Sequence, residues 1–224
     1  MRAWGQSVVS SDSVVPLKII CHGYKTLRIA RRLGWLPGAR YTNLRDIRRE
    51  RKIGLIDVDW KSYSFERHLA AVREVRPILT IAKDVEDRTE LRAILRQAEE
   101  LERWCRYVVV VPKDPALSNH LLRLIPSRFI LGYSVPTSYG ATEIPVEFFG
   151  RRRVHLLGGR PDFQFDLARR LNVFSFDGNR ITLDAQFGDY FDGKRFRPHP
   201  KGGYERCIRD SLKAINRIWA KRKA

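Results

Sequence analysis

Acidic residues are scarce in this sequence. Only 25 Asp and Glu stand against 43 Lys and Arg, which leaves a formal net charge of +18 in 224 residues. An imbalance of that sign and size argues against a surface that serves solubility alone. It points to a polyanionic partner, drawn in by long-range steering and held through counterion release. Nucleic acid is the expected partner and an anionic membrane surface the alternative. No run of 18 apolar residues occurs, so no membrane-spanning helix is expected. Residues 1–13 hold no apolar segment of the signal-peptide kind, so a cytoplasmic protein is expected, in the bacterial host if the gene is carried by a phage. Cysteine is sparse as well: Cys21, Cys105 and Cys207 lie far apart and make no C-x-x-C pair, which excludes a disulfide framework or a sequence-signalled zinc site. The histidines, at 22, 68, 120, 155 and 199, show no metal-ligand spacing. P-loop, dinucleotide fingerprint and G-x-S-x-G elbow are all missing. Neither metal nor cofactor is expected.

What the sequence does have is enough apolar material for a core, 43% hydrophobic and 11% aromatic, so it is not a disordered basic tail. Short runs rich in β-branched and aromatic residues recur at Leu17–Cys21, Ile53–Val58, Ile78–Ala82, Tyr107–Val111, Phe129–Tyr133, Val154–Leu157 and Val173–Phe176. They lack clean alternation, as strands buried on both faces do. Helical periods lie between them. Leu91, Ile94, Leu95, Ala98 and Leu101 make an apolar stripe within 86–104, and Asp87 with Glu90 reads as a capping-box variant. Further helices are expected over 65–75, 162–171 and 204–221. The last places Tyr204, Ile208, Leu212, Ile215 and Trp219 on one face and Arg206, Arg209, Lys213, Arg217 and Lys221 on the other. Alternating strands and helices predict an α/β fold with a parallel sheet. With an eighth strand near 188–196, the expectation is a compact (β/α)8 TIM-like barrel; an open doubly wound sheet is the alternative. Residues 1–14 read as a flexible N-terminus. Residues 15–224 read as one TIM-like catalytic domain ending in the basic helix.

Several strands run into an acid at their C-terminal end: Asp57 and Asp59 after Gly54-Leu-Ile, Asp84 after Ile78–Lys83, and Asp177 after Val173–Phe176. In parallel α/β folds those ends open onto the active site. Acids kept there by a basic protein suggest a shared cluster, although each Asp could equally cap a loop or helix. Glycine-containing turns, Leu131-Gly-Tyr-Ser-Val-Pro136 and His155-Leu-Leu-Gly-Gly-Arg160, punctuate the same edge and let backbone approach a flat ligand.

The stretch 155–191 resembles the guanine transglycosylases, which exchange guanine for a 7-deazaguanine base. Their hallmark is H-L-L-G-x-G-x-P, a short helix, a strand ending in F-D, then x-x-P-T-R-x-A-x-x-G. Here His155-Leu-Leu-Gly158, Pro161, Phe176-Asp177, Arg180, Thr182, Ala185 and Gly188 follow in order. Gly132-Tyr-Ser-Val looks like the family's Gly-Gly-Leu-Ser/Ala-Val segment. Asp57 and Asp84 match the family's other aspartates by order and strand position. The chain departs from the pattern in several places. Asn179-Arg-Ile-Thr182 replaces Pro-Thr-Arg, Lys113 stands where a glutamine is expected, and the zinc-binding Cys/His cluster of the tRNA-directed enzymes is absent. The resemblance is therefore to a branch that modifies DNA, found in phages and bacteria, without the zinc-binding subdomain.

The resemblance implies that Asp177 is the nucleophile and Asp57 the general acid/base, with Asp59 as a neighbour able to take that role. Asp84 would accept hydrogen bonds from the guanine edge. Gly132, Tyr133, Ser134, Gly158 and Gly159 would line the base, and Tyr133, Phe174 or Trp60 could stack on it. Contacts to the nucleic-acid backbone are expected from Arg151, Arg152, Arg153, Arg180, Lys194, Arg195, Arg197 and the last helix. The implied partners are DNA, ahead of tRNA, and a preQ0-like 7-deazaguanine; a homodimer or a partner protein is left open. The alternatives are a non-catalytic nucleic-acid-binding protein on the same barrel, a tRNA-guanine transglycosylase, or another glycosyl-transferring enzyme of nucleosides or DNA.

Overall fold

The apolar runs become the staves of a barrel. A computed structural model describes residues 15–138 and 140–221, so the N-terminal segment 1–14 lies outside the described residues. Eight parallel strands close in chain order: β1 (Leu17–Cys21), β2 (Leu36–Arg40), β3 (Leu55–Asp57), β4 (Leu79–Ile81), β5 (Tyr107–Val110), β6 (Ile130–Ser134), β7 (Arg153–Leu157) and β8 (Asn172–Asp177). β8 returns to β1 through the pairs Leu17–Ser175 and Ile19–Asp177. Outside lie α1 (Tyr24–Arg32), α2 (Phe65–Val75), α3 (Leu91–Glu102), α4 (Leu121–Leu124), α5 (Pro161–Leu167), α6 (Arg180–Gln186) and α7 (Tyr204–Lys221). The expected (β/α)8 architecture is what the chain adopts. It is compact because turns alone join β2 to β3, and a single 3-10 turn, Val146–Phe149, precedes β7.

The eighth strand is not where the sequence placed it. Residues 189–191 and 196–198 form β9 and β10, an antiparallel ribbon outside the barrel. The missing stave is β2, Leu-Pro-Gly-Ala-Arg, whose Pro-Gly pair reads as a turn. Its geometry tolerates both residues. Pro37 still accepts at its carbonyl from Gly54 N at 2.7 Å. At Gly38 a Cβ would stand 2.5 Å from Cys21 Sγ and 3.1 Å from the Leu55 carbonyl oxygen, so only glycine fits between β1 and β3.

Strand alternation sorts the side chains into two cores. Ile19, Leu55, Leu79, Ile81, Val109, Val111 and Ile130 fill the barrel. Ile20, Ile56, Val108, Leu131, Val154, Leu156 and Phe176 face the helices. The expected helix stripes do the covering: Leu91, Ile94, Ala98 and Leu101 of α3, and Ile208, Leu212, Ile215 and Trp219 of α7, are buried. Trp219 stacks on Phe176 with ring centres 4.5 Å apart. At the base of α7, Asn216 Oδ1 accepts from Lys18 Nζ and Trp35 Nε1 (2.8 and 3.0 Å) while its Nδ2 donates to the Leu33 carbonyl at 2.9 Å. The capping box forms only in half. Asp87 caps Thr89 N at 2.7 Å, but Glu90 turns to Lys83 Nζ at 2.6 Å.

One strand breaks the alternation. Between β7 and β8 the register slips, pairing Val154 with Val173 but His155 with Ser175, so Phe174 is an extra residue on β8. Val173 faces the helices and Phe174 the interior. After the bulge Phe176 again faces outward and Asp177 inward.

Gly132 is a packing position of the interior. A Cβ there would meet Val111 Cγ2 at 2.5 Å, Leu157 Cδ1 at 3.0 Å and Val109 Cγ1 at 3.1 Å, and β-branched neighbours have little freedom to yield. Gly132→Ala is expected to cost about 1–3 kcal/mol, read as a lower denaturation midpoint in urea with an unchanged slope.

Candidate active site

The C-terminal ends of the strands form the mouth of the barrel, and three of the four predicted acids meet there. Asp57 is the inward-facing residue closing β3, and Asp177 occupies the same place on β8. Each raises the proton affinity of Asp57 or of Cys21 beside them, so the three side chains share one field. Burial, and next the charge of Asp177, push the Asp57 carboxyl up to about 7, against the pull of a 2.8 Å hydrogen bond from Val58 N and of Arg40. Asp84, just past β4, also raises it slightly. The fourth acid, Asp59, lies outside the cluster's work. Its Oδ1 accepts from Lys61 N at 3.3 Å and its carbonyl from Ser62 N at 3.2 Å, so it shapes the turn after β3.

Asp177 is 9% exposed and tightly held. Its Oδ1 accepts from Gly158 N at 3.0 Å. Gln164 Nε2, on α5, donates to the carbonyls of both Gly158 and Asp177 at 2.6 Å and clamps the two strand ends together. His155 lies fully buried beneath. Its Nδ1 is 2.8 Å from Ser175 Oγ, and its Nε2 is 3.4 Å from Asp177 Oδ1, an ion-pair distance without hydrogen-bond alignment. Among the described residues only one carboxyl oxygen of Asp177, Oδ1, takes a hydrogen bond.

The glycine-containing turns have a different task from the expected one. Gly158 and Gly159 both take left-handed backbone angles, φ +60° and +78°, and a Cβ on Gly159 would collide with Val135. The amide of Gly158 is spent on Asp177 and that of Ser134 on Thr142 Oγ1 at 2.9 Å. These two amides orient the acid and the loop. Tyr133 is corrected too. Strand alternation turns it outward, where it packs edge-on against Phe149 at 5.3 Å. Phe174 closes the opposite end of the barrel against Tyr107 at 5.1 Å. Trp60, 64% exposed on the loop after β3, remains accessible beside the mouth.

Asp84 does not present a free carboxylate. Lys113 Nζ stands 2.8 Å from its Oδ2 and 3.3 Å from Glu86 Oε1. Burial raises the Asp84 carboxyl, and the hydrogen bond and charge of Lys113 oppose that shift.

The arginine run 151–153 belongs to the wrong end for the mouth, because it opens β7 and the mouth lies where β7 closes. Arg152 donates to the carbonyls of Ile125, Pro126 and Phe129 at 2.9, 2.7 and 2.8 Å, a structural clamp. Arg153 lies over the rings of Tyr107 and Phe174 at 4.9 and 5.2 Å and caps the barrel floor. Arg151 is exposed at that same end. Arg180 does sit at the mouth side, starting α6, but is doubly bonded to Asp184 at 2.6 and 3.0 Å. Lys194 and Arg195 are exposed on the β9–β10 turn, their backbone amides held by Asp192.

Four residues at or beneath the mouth were missed. Arg40 pairs in register with Asp57 across β2 and β3, and went unseen with its strand. Cys21 needed the barrel to close before it could meet Asp57 and Asp177. His155 and Gln164 are ordinary strand and helix residues until the bulge brings Asp177 over them. His68, by contrast, is structural. Thr80 Oγ1 donates to the Ile56 carbonyl at 2.9 Å, so His68 Nε2 must donate to Thr80 Oγ1 at 2.7 Å, and burial holds the imidazole neutral with its pKa lowered to about 4. Among the described residues no group of three or more His, Cys, Asp or Glu side chains is arranged to hold a metal ion, and no helix is long and apolar enough to cross a membrane.

The raised Asp57 carboxyl has a consequence for stability. Between the ordinary aspartate range and about pH 7 the folded chain keeps a proton that the unfolded chain releases, so rising pH erodes stability across that window. Asp57→Asn removes the penalty. It is expected to raise the melting temperature at pH 8 by up to roughly 8–16 °C, for about 4 kcal/mol at most, and to leave it unchanged at pH 3. Equal gains at both pH values would contradict the protonation assigned to Asp57.

Comparison with known proteins finds no match among curated proteins. One protein family matches residues 30–220, from within α1 to within α7. The match takes in β2–β8 and thus Arg40, Asp57, Asp84, His155 and Asp177. The chain therefore belongs to this family, described as a family of unknown function (DUF6610).

Proposed function

We propose that the protein is a DNA-guanine transglycosylase, an enzyme that exchanges guanine in DNA for a 7-deazaguanine base. The observation that carries this reading is the Asp57–Asp177 pair: two carboxyl groups in one mouth with unlike surroundings. Asp177 is fastened through one oxygen and leaves the other available. Asp57 titrates at about 7, where a group can both give and take a proton at neutral pH. The resemblance of the segment 155–191 to guanine transglycosylases supplies the substrate class.

In this mechanism the free oxygen of Asp177 attacks C1′ of the target nucleotide as the C1′–N9 bond breaks. The bond electrons go to N9, which takes the proton of Asp57, and guanine leaves. The sugar is then held as an ester of Asp177, as in a retaining glycosidase. N9 of the incoming base attacks C1′, gives its proton to Asp57, and frees the Asp177 carboxylate. The target nucleotide must leave the base stack to reach the mouth, and Trp60 is an exposed ring able to receive a base beside it. Asp84 meets the base edge when Lys113 swings to Glu86, its second partner.

The test is incubation of the protein with duplex and single-stranded DNA, and with tRNA, in the presence of labelled guanine or a 7-deazaguanine, followed by mass spectrometry of the nucleosides. Incorporation into DNA by the native chain is expected. Asp177→Asn should lower it by at least about 10³-fold, in line with loss of a covalent nucleophile. Asp57→Asn should abolish the dependence of the rate on pH near 7. Full exchange by Asp177→Asn would refute the assignment. Abasic sites formed without any added base would point to a glycosylase, and incorporation into tRNA alone to the tRNA enzyme.

A further inference from the structure

We propose that the exposed faces of α1 and α7 form one docking surface for the phosphate backbone of a nucleic acid, running from the mouth of the barrel down its flank. The inference rests on the proposed function only in taking the mouth as the working end.

The two helices lie side by side and point the same way. Thr26 Oγ1, in the first turn of α1, is 3.0 Å from the hydroxyl of Tyr204, the first residue of α7. At the far ends Asn216 Nδ2 donates to the Leu33 carbonyl at 2.9 Å. Because α1 follows directly on the C-terminal end of β1, both helices start at the mouth and descend together.

Their outer faces are basic. Lys25, Arg28, Arg31 and Arg32 are exposed on α1, and Arg206, Arg209, Lys213, Arg217 and Lys221 on α7. On α7 these recur at intervals of three and four residues, one straight stripe of about 22 Å, the rise of roughly six base pairs. Among the described residues Lys25, Arg28, Arg32, Arg209, Arg217 and Lys221 make no ion pair, in contrast to Arg180 or Arg128 elsewhere. Arg31 is bound to Glu50, and Lys213 lies 4.0 Å from Asp210, which His199 also holds at 3.0 Å. Glu205 is the other acid on α7's outer side, near its first turn.

A row of unpaired cations repels itself and costs stability, and a polyanion relieves that repulsion while releasing its own counterions. A membrane surface fits less well. An interfacial helix inserts an apolar face, and the apolar face of α7 is already buried against the barrel. Tyr24, 58% exposed at the mouth end of α1, adds a ring where a strand leaving the surface would cross to Asp177.

The experiment is fluorescence anisotropy with a labelled 20-base-pair duplex and the matching single strand, over a salt series, using the full chain. One variant combines Arg28→Ala, Arg32→Ala, Arg209→Ala, Lys213→Ala and Arg217→Ala. A control removes the same charge elsewhere with Arg67→Ala, Arg88→Ala, Arg92→Ala, Arg96→Ala and Arg103→Ala, all exposed residues. Thermal melting checks that both are folded. The α1/α7 variant should lose at least about ten-fold in affinity, with the slope of log K against log salt falling by roughly 0.9 for each duplex phosphate contact removed. The control should stay within about three-fold of the native chain. Equal losses in both variants, or no loss in the first, overturn the proposal, as does binding to phosphatidylserine vesicles without binding to either nucleic acid. If no form of the protein exchanges a base, the transglycosylase reading falls, while the docking surface still stands or falls on these affinities alone.

Discussion

The site depends on one extra residue in one strand. Without the bulge at Phe174, strict alternation from Val173 would turn Phe176 into the barrel and Asp177 out toward the helices. With it, three things follow together. Phe176 faces outward and stacks on Trp219, which seats α7. Ser175 meets His155 inside. Asp177 enters the mouth beside Asp57 and Cys21. The packing that holds the last helix and the aim of the proposed nucleophile are therefore coupled through a single backbone irregularity, locked by Gly158 N and by the Gln164 clamp.

Two carboxyl groups in one partly enclosed mouth are costly, and the protein limits the cost unevenly. Asp177 is given a fixed backbone donor. Asp57 is given only the amide of Val58 and the charge of Arg40, its register partner on β2, and so holds its proton to about pH 7. Asp84 is neutralised directly by Lys113. Three acids of like sequence context thus end with three different sets of partners, and the proposed acid–base and nucleophilic roles rest on that difference.

The basic excess is likewise divided by structure. Some arginines are internal fittings: Arg152 gathers three carbonyls, Arg153 caps the barrel floor, and Arg180 is tied to Asp184. Others, such as Arg28, Arg32, Arg209 and Arg217 along α1 and α7, make no ion pair among the described residues. Net charge alone weighs these alike, although only cations free of internal partners can release a polyanion's counterions at little cost.

Much of the barrel was legible in the sequence because period and composition are local properties. Seven of the eight staves, the stripes of α3 and α7, and the acids at the ends of β3, β4 and β8 could be read from apolar runs and helical spacing alone. β2 could not, because Leu36–Arg40 carries a proline and a glycine that only its neighbours on both sides make into a strand. The inward turn of Asp177 could not either, since a bulge is set by the register between two strands and leaves no mark on either one. The same holds for the outward turn of Tyr133, the stacking of Arg153 on Tyr107 and Phe174, and the partners of Gly158 and Asp84. The sequence determined which groups exist and roughly where along the barrel they stand. Tertiary structure decided which way they face and which of them remain free, because facing and pairing are relations between strands far apart in the chain.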